Sequence, residues 1–156
     1  KIIVPGDGTS LWQCTWNGDF AKAFVGLLGN QRVIGHAFHI TTDEVLTWDQ
    51  FYMETARAAG AEANIIHIPS EFIMAFCPHE EGNLLGDKAQ STVFDNSKVK
   101  RYVPDFVANT TFAQGIRRTL AWFEADPARC AVNDEMNATW DRIIEAYESG
   151  LAKARG

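Results

Sequence analysis

The sequence predicts one α/β unit, helix-rich, with few and short strands. Three observations predict it. β-Branched apolar runs such as Ile2-Ile3-Val4 and Asn64 to Ile68 alternate with stretches at helical spacing. Two Thr-x-x-Gln capping boxes, Thr47–Gln50 and Thr111–Gln114, mark helix starts. No Gly/Ser/Pro linker, internal repeat or low-complexity run divides the 156 residues, a length that suits one domain with a real core.

Taken in order, Ile2-Ile3-Val4 reads as a short buried strand ended by the turn Pro5-Gly6-Asp7-Gly8. Residues Trp12 to Trp16 read as a second strand. Asn17 or Gly18-Asp19 then opens a helix through Leu28, with Phe20, Phe24, Leu27 and Leu28 on its buried side. Asp19 favours the helix dipole from the first turn, and Gly29 stops the helix. His36-Ala-Phe-His-Ile40 is a strand candidate. Behind Thr47, residues Trp48, Phe51, Tyr52, Thr55, Ala56 and Ala59 form the inner face of a helix closed by Gly60.

Asn64 to Ile68 is a strand ended by Pro69, and Ser70 is a cap for a short helix through Phe76, broken by Pro78. A weaker helix is expected from about Glu80 to Ala89, a strand over Ser91 to Asp95 and a short helix over Asn96 to Tyr102. The helix opened by Thr111 turns Phe112, Ile116, Leu120 and Phe123 inward. The last one starts near Asn133-Asp134 and buries Met136, Trp140, Ile143, Ile144 and Tyr147.

The net charge is −6, and both halves of the chain carry more acidic than basic groups. A nucleic-acid partner is therefore not expected. No apolar run reaches the ~18–20 residues of a membrane span. Three cysteines, Cys14, Cys77 and Cys130, are odd in number and widely spaced, which suits reduced thiols and a cytoplasmic protein. The strand begins directly after Lys1 with no initiator Met, so the chain is expected to be processed or part of a longer one.

Motifs for chemistry are incomplete. Gly6-Asp7-Gly8 is not a dinucleotide fingerprint, because position 11 is Leu and a strand rather than a helix is expected to follow. It is either a tight turn or a turn at the mouth of a ligand cleft. Trp12 and Trp16, at even spacing on a strand, would share one face and form a stacking wall, or else pack in the core. The histidines and Cys77-Pro-His79-Glu80-Glu81 have no structural-zinc spacing. There is no G-x-S-x-G, and none of Tyr52, Tyr102 and Tyr147 is followed by a Lys at the fourth position. Asp95 is a candidate helix cap.

Several stretches, in order, resemble the C-terminal half of an extended short-chain dehydrogenase/reductase of the NAD-dependent epimerase/dehydratase group. They are Val4-Pro-Gly-Asp-Gly8, Asn17-Gly-Asp-Phe-Ala21, Gly35-His-Ala-Phe-His-Ile-Thr-Thr-Asp43, Val93-Phe-Asp-Asn-Ser-Lys98 and Phe112-Ala-Gln-Gly-Ile-Arg117. The resemblance implies that residues 1–156 are the substrate-binding lobe, with the Rossmann half that carries the NAD or NADP site and the Tyr-x-x-x-Lys pair absent. It places no catalytic, cofactor-binding or metal residue in this chain. It implies a substrate-facing role for Gly6, Asp7, Gly8, Trp12, Gln13 and Trp16, and a sugar-like or small carbonyl/hydroxyl substrate. Nucleotide-sugar members carry an Arg-Asp pair where this chain has Trp12 and Gln13, which favours a less anionic ligand. A homodimer stays open, and a non-catalytic binding or regulatory module on the same fold is the alternative.

Overall fold

The computed structural model describes residues 1–156. Strands β1 (Ile2–Pro5) and β4 (Ile65–Ile68) pair in parallel, Ile2 opposite Ile65 through Pro5 opposite Ile68. Between them lie β2 (Leu11–Trp12), α1 (Asn17–Leu27), β3 (Leu46–Thr47) and α2 (Trp48–Ala58). Strands β2 and β3 form a two-residue antiparallel ladder. After β4 come α3 (Ser70–Met74), irregular helical turns over residues 78–88, α4 (Ser97–Tyr102), α5 (Phe112–Glu124) and α6 (Asp134–Arg155). The helix-rich α/β class with few short strands is what the sequence predicts. No helix is long and apolar enough to cross a membrane.

Local signals set the helix starts. Both capping boxes form: each Thr hydroxyl accepts the N–H three residues on, and each Gln side chain accepts the Thr N–H. The Asn133 side chain caps α6 in the same way. Gly60 and Gly29 follow their helices at φ +69° and +74°, a region open to glycine at little cost. The main core joins Ile68, Ile73, Cys77, Leu84, Ile143 and Ile144. A smaller one joins Ala23, Val99 and Phe106. Between them, Phe51 of α2 meets Phe112 of α5 edge to face, 4.6 Å apart.

Several expectations fail, each for a physical reason. The strand over Trp12 to Trp16 stops at Trp12, and Trp16 is already the N-cap of α1. Residues His36 to Ile40 form no strand: the His36 N–H closes a turn on Val33 C=O, and Phe38 and Ile40 pack against the Ala23, Val99 and Phe106 core. Ser91 to Asp95 lies beside β2, with Thr92 N–H on Leu11 C=O and Phe94 N–H on the Gln13 side chain, yet builds no ladder. Ser70 is the first residue of α3 rather than its cap. The helix of 80–89 breaks into 3₁₀, α and π turns. On α1, the buried residues are Asp19 and Ala23, while Phe20, Phe24, Val25 and Leu28 are 43%, 49%, 64% and 62% exposed. Periodicity identified an apolar face without supplying anything to cover it.

The total accessible surface is 10089 Å² for 17.4 kDa. A compact monomer of that mass exposes about 7,900 Å², so the excess is roughly a quarter.

Candidate functional site

The loop after β1 owes its shape to two glycines. Gly6 and Gly8 sit at φ +69° and +73°. Gly8 is buried, and a Cβ there would collide with the Asp49 carboxylate and lie 2.8 Å from His67 Nε2. Asp7 folds the loop on itself, its Oδ1 accepting from Thr9 N–H at 3.0 Å and Thr9 Oγ1 at 2.7 Å. These bonds hold the Asp7 carboxyl below its ordinary range. Behind the loop, His67 Nε2 meets Asp49 Oδ1 at 2.8 Å. Asp49 N–H donates to Gly8 C=O at 3.1 Å. The loop is thus pinned to the N-terminus of α2 and the end of β4. It borders an open polar cavity of about 460 Å³ whose lining includes Asp7, Thr9, Ser10, Gln90 and Ser91. A second, apolar cavity of about 390 Å³ lies between Ile2, Ile3, Tyr52, Ile73 and Trp140. Burial pushes the Tyr52 phenol up, the opposite of what an acid–base tyrosine needs.

The remaining predicted site residues separate. Trp12 packs against Trp48, ring centroids 5.8 Å apart and planes tilted by 47°. Both indole N–H groups are buried without a hydrogen-bond partner. Gln13 spends both ends of its amide inside the protein. Its Nε2 donates to Thr42 C=O at 2.6 Å and its Oε1 accepts from Phe94 N–H at 2.7 Å. Trp16 lies against Gly115 of α5, where a Cβ would come within 3.1 Å of the ring, and Arg118 stands over its other side at 5.4 Å. The two tryptophans therefore belong to different neighbourhoods and build no common wall. Gly6, Asp7 and Gly8 are the predicted residues that share a cavity edge or support it.

Carboxylates do structural work that the sequence showed only in part. Asp19, 1% exposed, accepts from Thr110 N–H and Lys22 Nζ at 2.8 and 2.6 Å. Burial opposes its charge, but these donors together outweigh burial and hold its carboxyl low. Asp43 takes both oxygens to Lys100 and a bond from Asn96, and those partners lower it as well. Asp95 accepts from Ser97 N–H and Oγ in a local turn, but the N-cap of α4 is Asn96, so Asp95 is not the helix cap that the sequence suggested. Glu44 Oε2 accepts Phe112 N–H at 2.6 Å. Burial and Glu44 together push the Cys14 thiol up, so it is not an activated nucleophile. Asp19–Thr110, Asp43–Lys100 and Glu44–Phe112 span 57 to 91 positions, and no short motif announces them.

The fold matches solved enzymes over part of their length. UDP-glucuronic acid 4-epimerase from Bacillus cereus, in complex with UDP-glucuronic acid and NAD, superimposes with a TM-score of 0.61 at 17% identity. The match covers 79% of this chain and 35% of that one. dTDP-glucose 4,6-dehydratase from Bacillus anthracis, in complex with NAD, gives 0.61 at 18%, covering 83% and 36%. In sequence, 2'-dehydrokanamycin reductase of Streptomyces kanamyceticus is 26% identical over 105 residues, 67% of this chain and 29% of that protein. The chain is similar in structure and sequence to part of the NAD-dependent epimerase/dehydratase group. The chloroplast stem-loop binding protein of 41 kDa b from Arabidopsis thaliana is 34% identical over 73 residues, 46% of this chain and 19% of that one. The chain spans about a third or less of the length of these proteins. No family model matches it.

Proposed function

We propose that residues 1–156 form the substrate-side lobe of an NAD(P)-dependent epimerase, dehydratase or reductase acting on a sugar-like or small carbonyl/hydroxyl substrate. In this reading a Rossmann half supplies the cofactor site and the acid–base tyrosine, and the reaction cleft lies between the halves. The observation that carries the reading is the match of this fold to part of epimerase and dehydratase structures seen with NAD, together with the exposed apolar side chains of α1. An uncovered apolar helix face suits docking against another sheet. The relatives with the same fold, seen with NAD bound, give that sheet its character.

The Gly6–Gly8 loop does not have the form of a dinucleotide cradle. It leads into β2, not into a helix whose N–H groups could meet a pyrophosphate. No hydride or proton step is therefore assigned to these side chains. Their part is binding: the Gly6–Asp7–Gly8 rim and its hydroxyl and amide neighbours offer hydrogen bonds to a polyol or carbonyl ligand. Trp12 stands on the strand that leaves this loop, in place of the cation that a diphosphate sugar would need.

The test is NAD(P)H binding by the intact protein, followed by turnover on nucleotide-linked and free sugars. Binding with a preference for free or uncharged substrates supports the reading, and a Trp12→Arg variant then shifts preference toward diphosphate sugars. No NAD(P)H binding and no turnover would overturn it. A second reading, a non-catalytic binding module, draws on the stem-loop binding relative. Retention of an RNA hairpin without NAD(P)H binding would favour it, whereas the net charge of −6 speaks against it.

A further inference from the structure

Away from the glycine loop, one cavity is lined by hydrogen-bond donors in an otherwise acidic molecule. Asn30, Arg32, Lys98, Arg101 and Tyr102 surround about 320 Å³. None of its three cations takes part in an ion pair; every such pair lies elsewhere. The neighbouring Lys100, by contrast, is fully committed to Asp43. One carboxylate, Asp95, lines an adjoining cavity with Ser97, and that cavity shares Lys98 and Arg101 with this one. Asp95 is turned back to the Ser97 N–H and hydroxyl.

Lys98, Tyr102 and Asn30 are held by neighbours, while Arg32 and Arg101 stand exposed at the rim. Lys98 Nζ lies 5.0 Å from the centre of the Phe38 ring, a cation–π contact. Tyr102 meets the same ring edge on, at 5.2 Å and 78°. Asn30 Oδ1 is occupied by Arg32 N–H at 3.0 Å, which fixes the amide and leaves its NH₂ group without an internal acceptor. The lining thus presents two guanidinium forks, an ammonium, an amide donor and a phenol. Three cations beside a single neighbouring carboxylate, Asp95, leave a surplus of positive charge that a bound anion would offset. Guanidinium forks match phosphate oxygens in pairs.

We propose that this cavity binds the phosphate or diphosphate group of a small molecule, at a site separate from the glycine-loop cavity. The volume, at the low end for ligand pockets, holds a phosphorylated head group rather than a whole dinucleotide. The site stands independently of the enzymatic reading.

The experiment is calorimetric titration of the intact protein with inorganic pyrophosphate and with inorganic phosphate. Saturable binding is expected, stronger for pyrophosphate and weakening as salt rises. Arg32→Gln, and separately the pair Lys98→Gln and Arg101→Gln, are each expected to weaken it about tenfold or more, the loss of one or more charge-assisted bonds. Lys153→Gln, on the exposed end of α6, should leave it unchanged. Melting of each variant near the parent temperature shows that the fold is intact. Competition by NAD(P) would assign the phosphate to a cofactor, and binding undisturbed by NAD(P) would assign it to a substrate or effector; either supports the site. Absence of saturable binding, or binding that neither cavity variant weakens, would overturn it.

Discussion

The two ends of the molecule treat their apolar residues in opposite ways. Around β4, α3 and α6, Ile68, Ile73 and Ile143 are at most 1% exposed and close one core. Around α1, the helix is apolar at positions Phe20, Phe24, Val25 and Leu28, yet these side chains face outward. Ile34 is also exposed, at 77%. The same amphipathic pattern therefore means a finished core in one region and an uncovered apolar surface in the other. Only the first can stabilise this chain by itself.

Substitutions can sharpen that contrast. The largest loss is expected for Ile143→Ala, which removes a fully buried side chain from the main core and should cost about 3 kcal/mol. Urea unfolding of the variant measures it. Gly8→Ala comes next. It requires a left-handed backbone angle of a residue with a Cβ and displaces the Asp49 and His67 side chains. A cost of about 2–3 kcal/mol is expected, together with loss of the ordered loop. An unchanged urea midpoint would contradict the packing described here.

Asp19→Ala ranks third. It strands the buried Thr110 N–H and should cost about 2 kcal/mol at neutral pH. The sign of its pH dependence follows from the lowered carboxyl. A carboxylate whose folded pKa is depressed adds stability above its unfolded value of about 4. That contribution disappears as pH falls through the lower folded value. The gap between parent and Asp19→Ala midpoints should therefore narrow from pH 5 downward. A gap that stays constant to acid pH would break this assignment. The smallest effect is expected for Phe24→Ala, below about 0.5 kcal/mol in residues 1–156 alone, because its ring is half exposed. A loss comparable to that of Ile143→Ala would erase the contrast between the two regions.

The same contrast explains what the sequence could tell. The helix starts at Thr47 and Thr111 were legible because a capping box is a four-residue event. The inner faces of α2 and α6 were legible because their partners lie within the chain. For α1 and His36–Ile40, the pattern said nothing of what covers an apolar face or pairs a segment, so Phe20, Phe24 and Leu28 were expected to be buried and a strand was expected where none forms. The even spacing of Trp12 and Trp16 misled because β2 ends after two residues. Gln13, Asp49 with His67, and Asp43 with Lys100 act across 18 to 81 positions, beyond the reach of local motifs. The Gly6-Asp7-Gly8 turn was readable as a turn, whereas the demand for glycine at position 8 comes from side chains of α2 and β4.

The most direct test of the docking face is sedimentation velocity of residues 1–156 alone, run over a range of concentrations with a hydrophobic dye present. The account predicts concentration-dependent association and dye binding, both reduced by Phe20→Ser together with Phe24→Ser. A monodisperse monomer that binds no dye and melts cooperatively would contradict it.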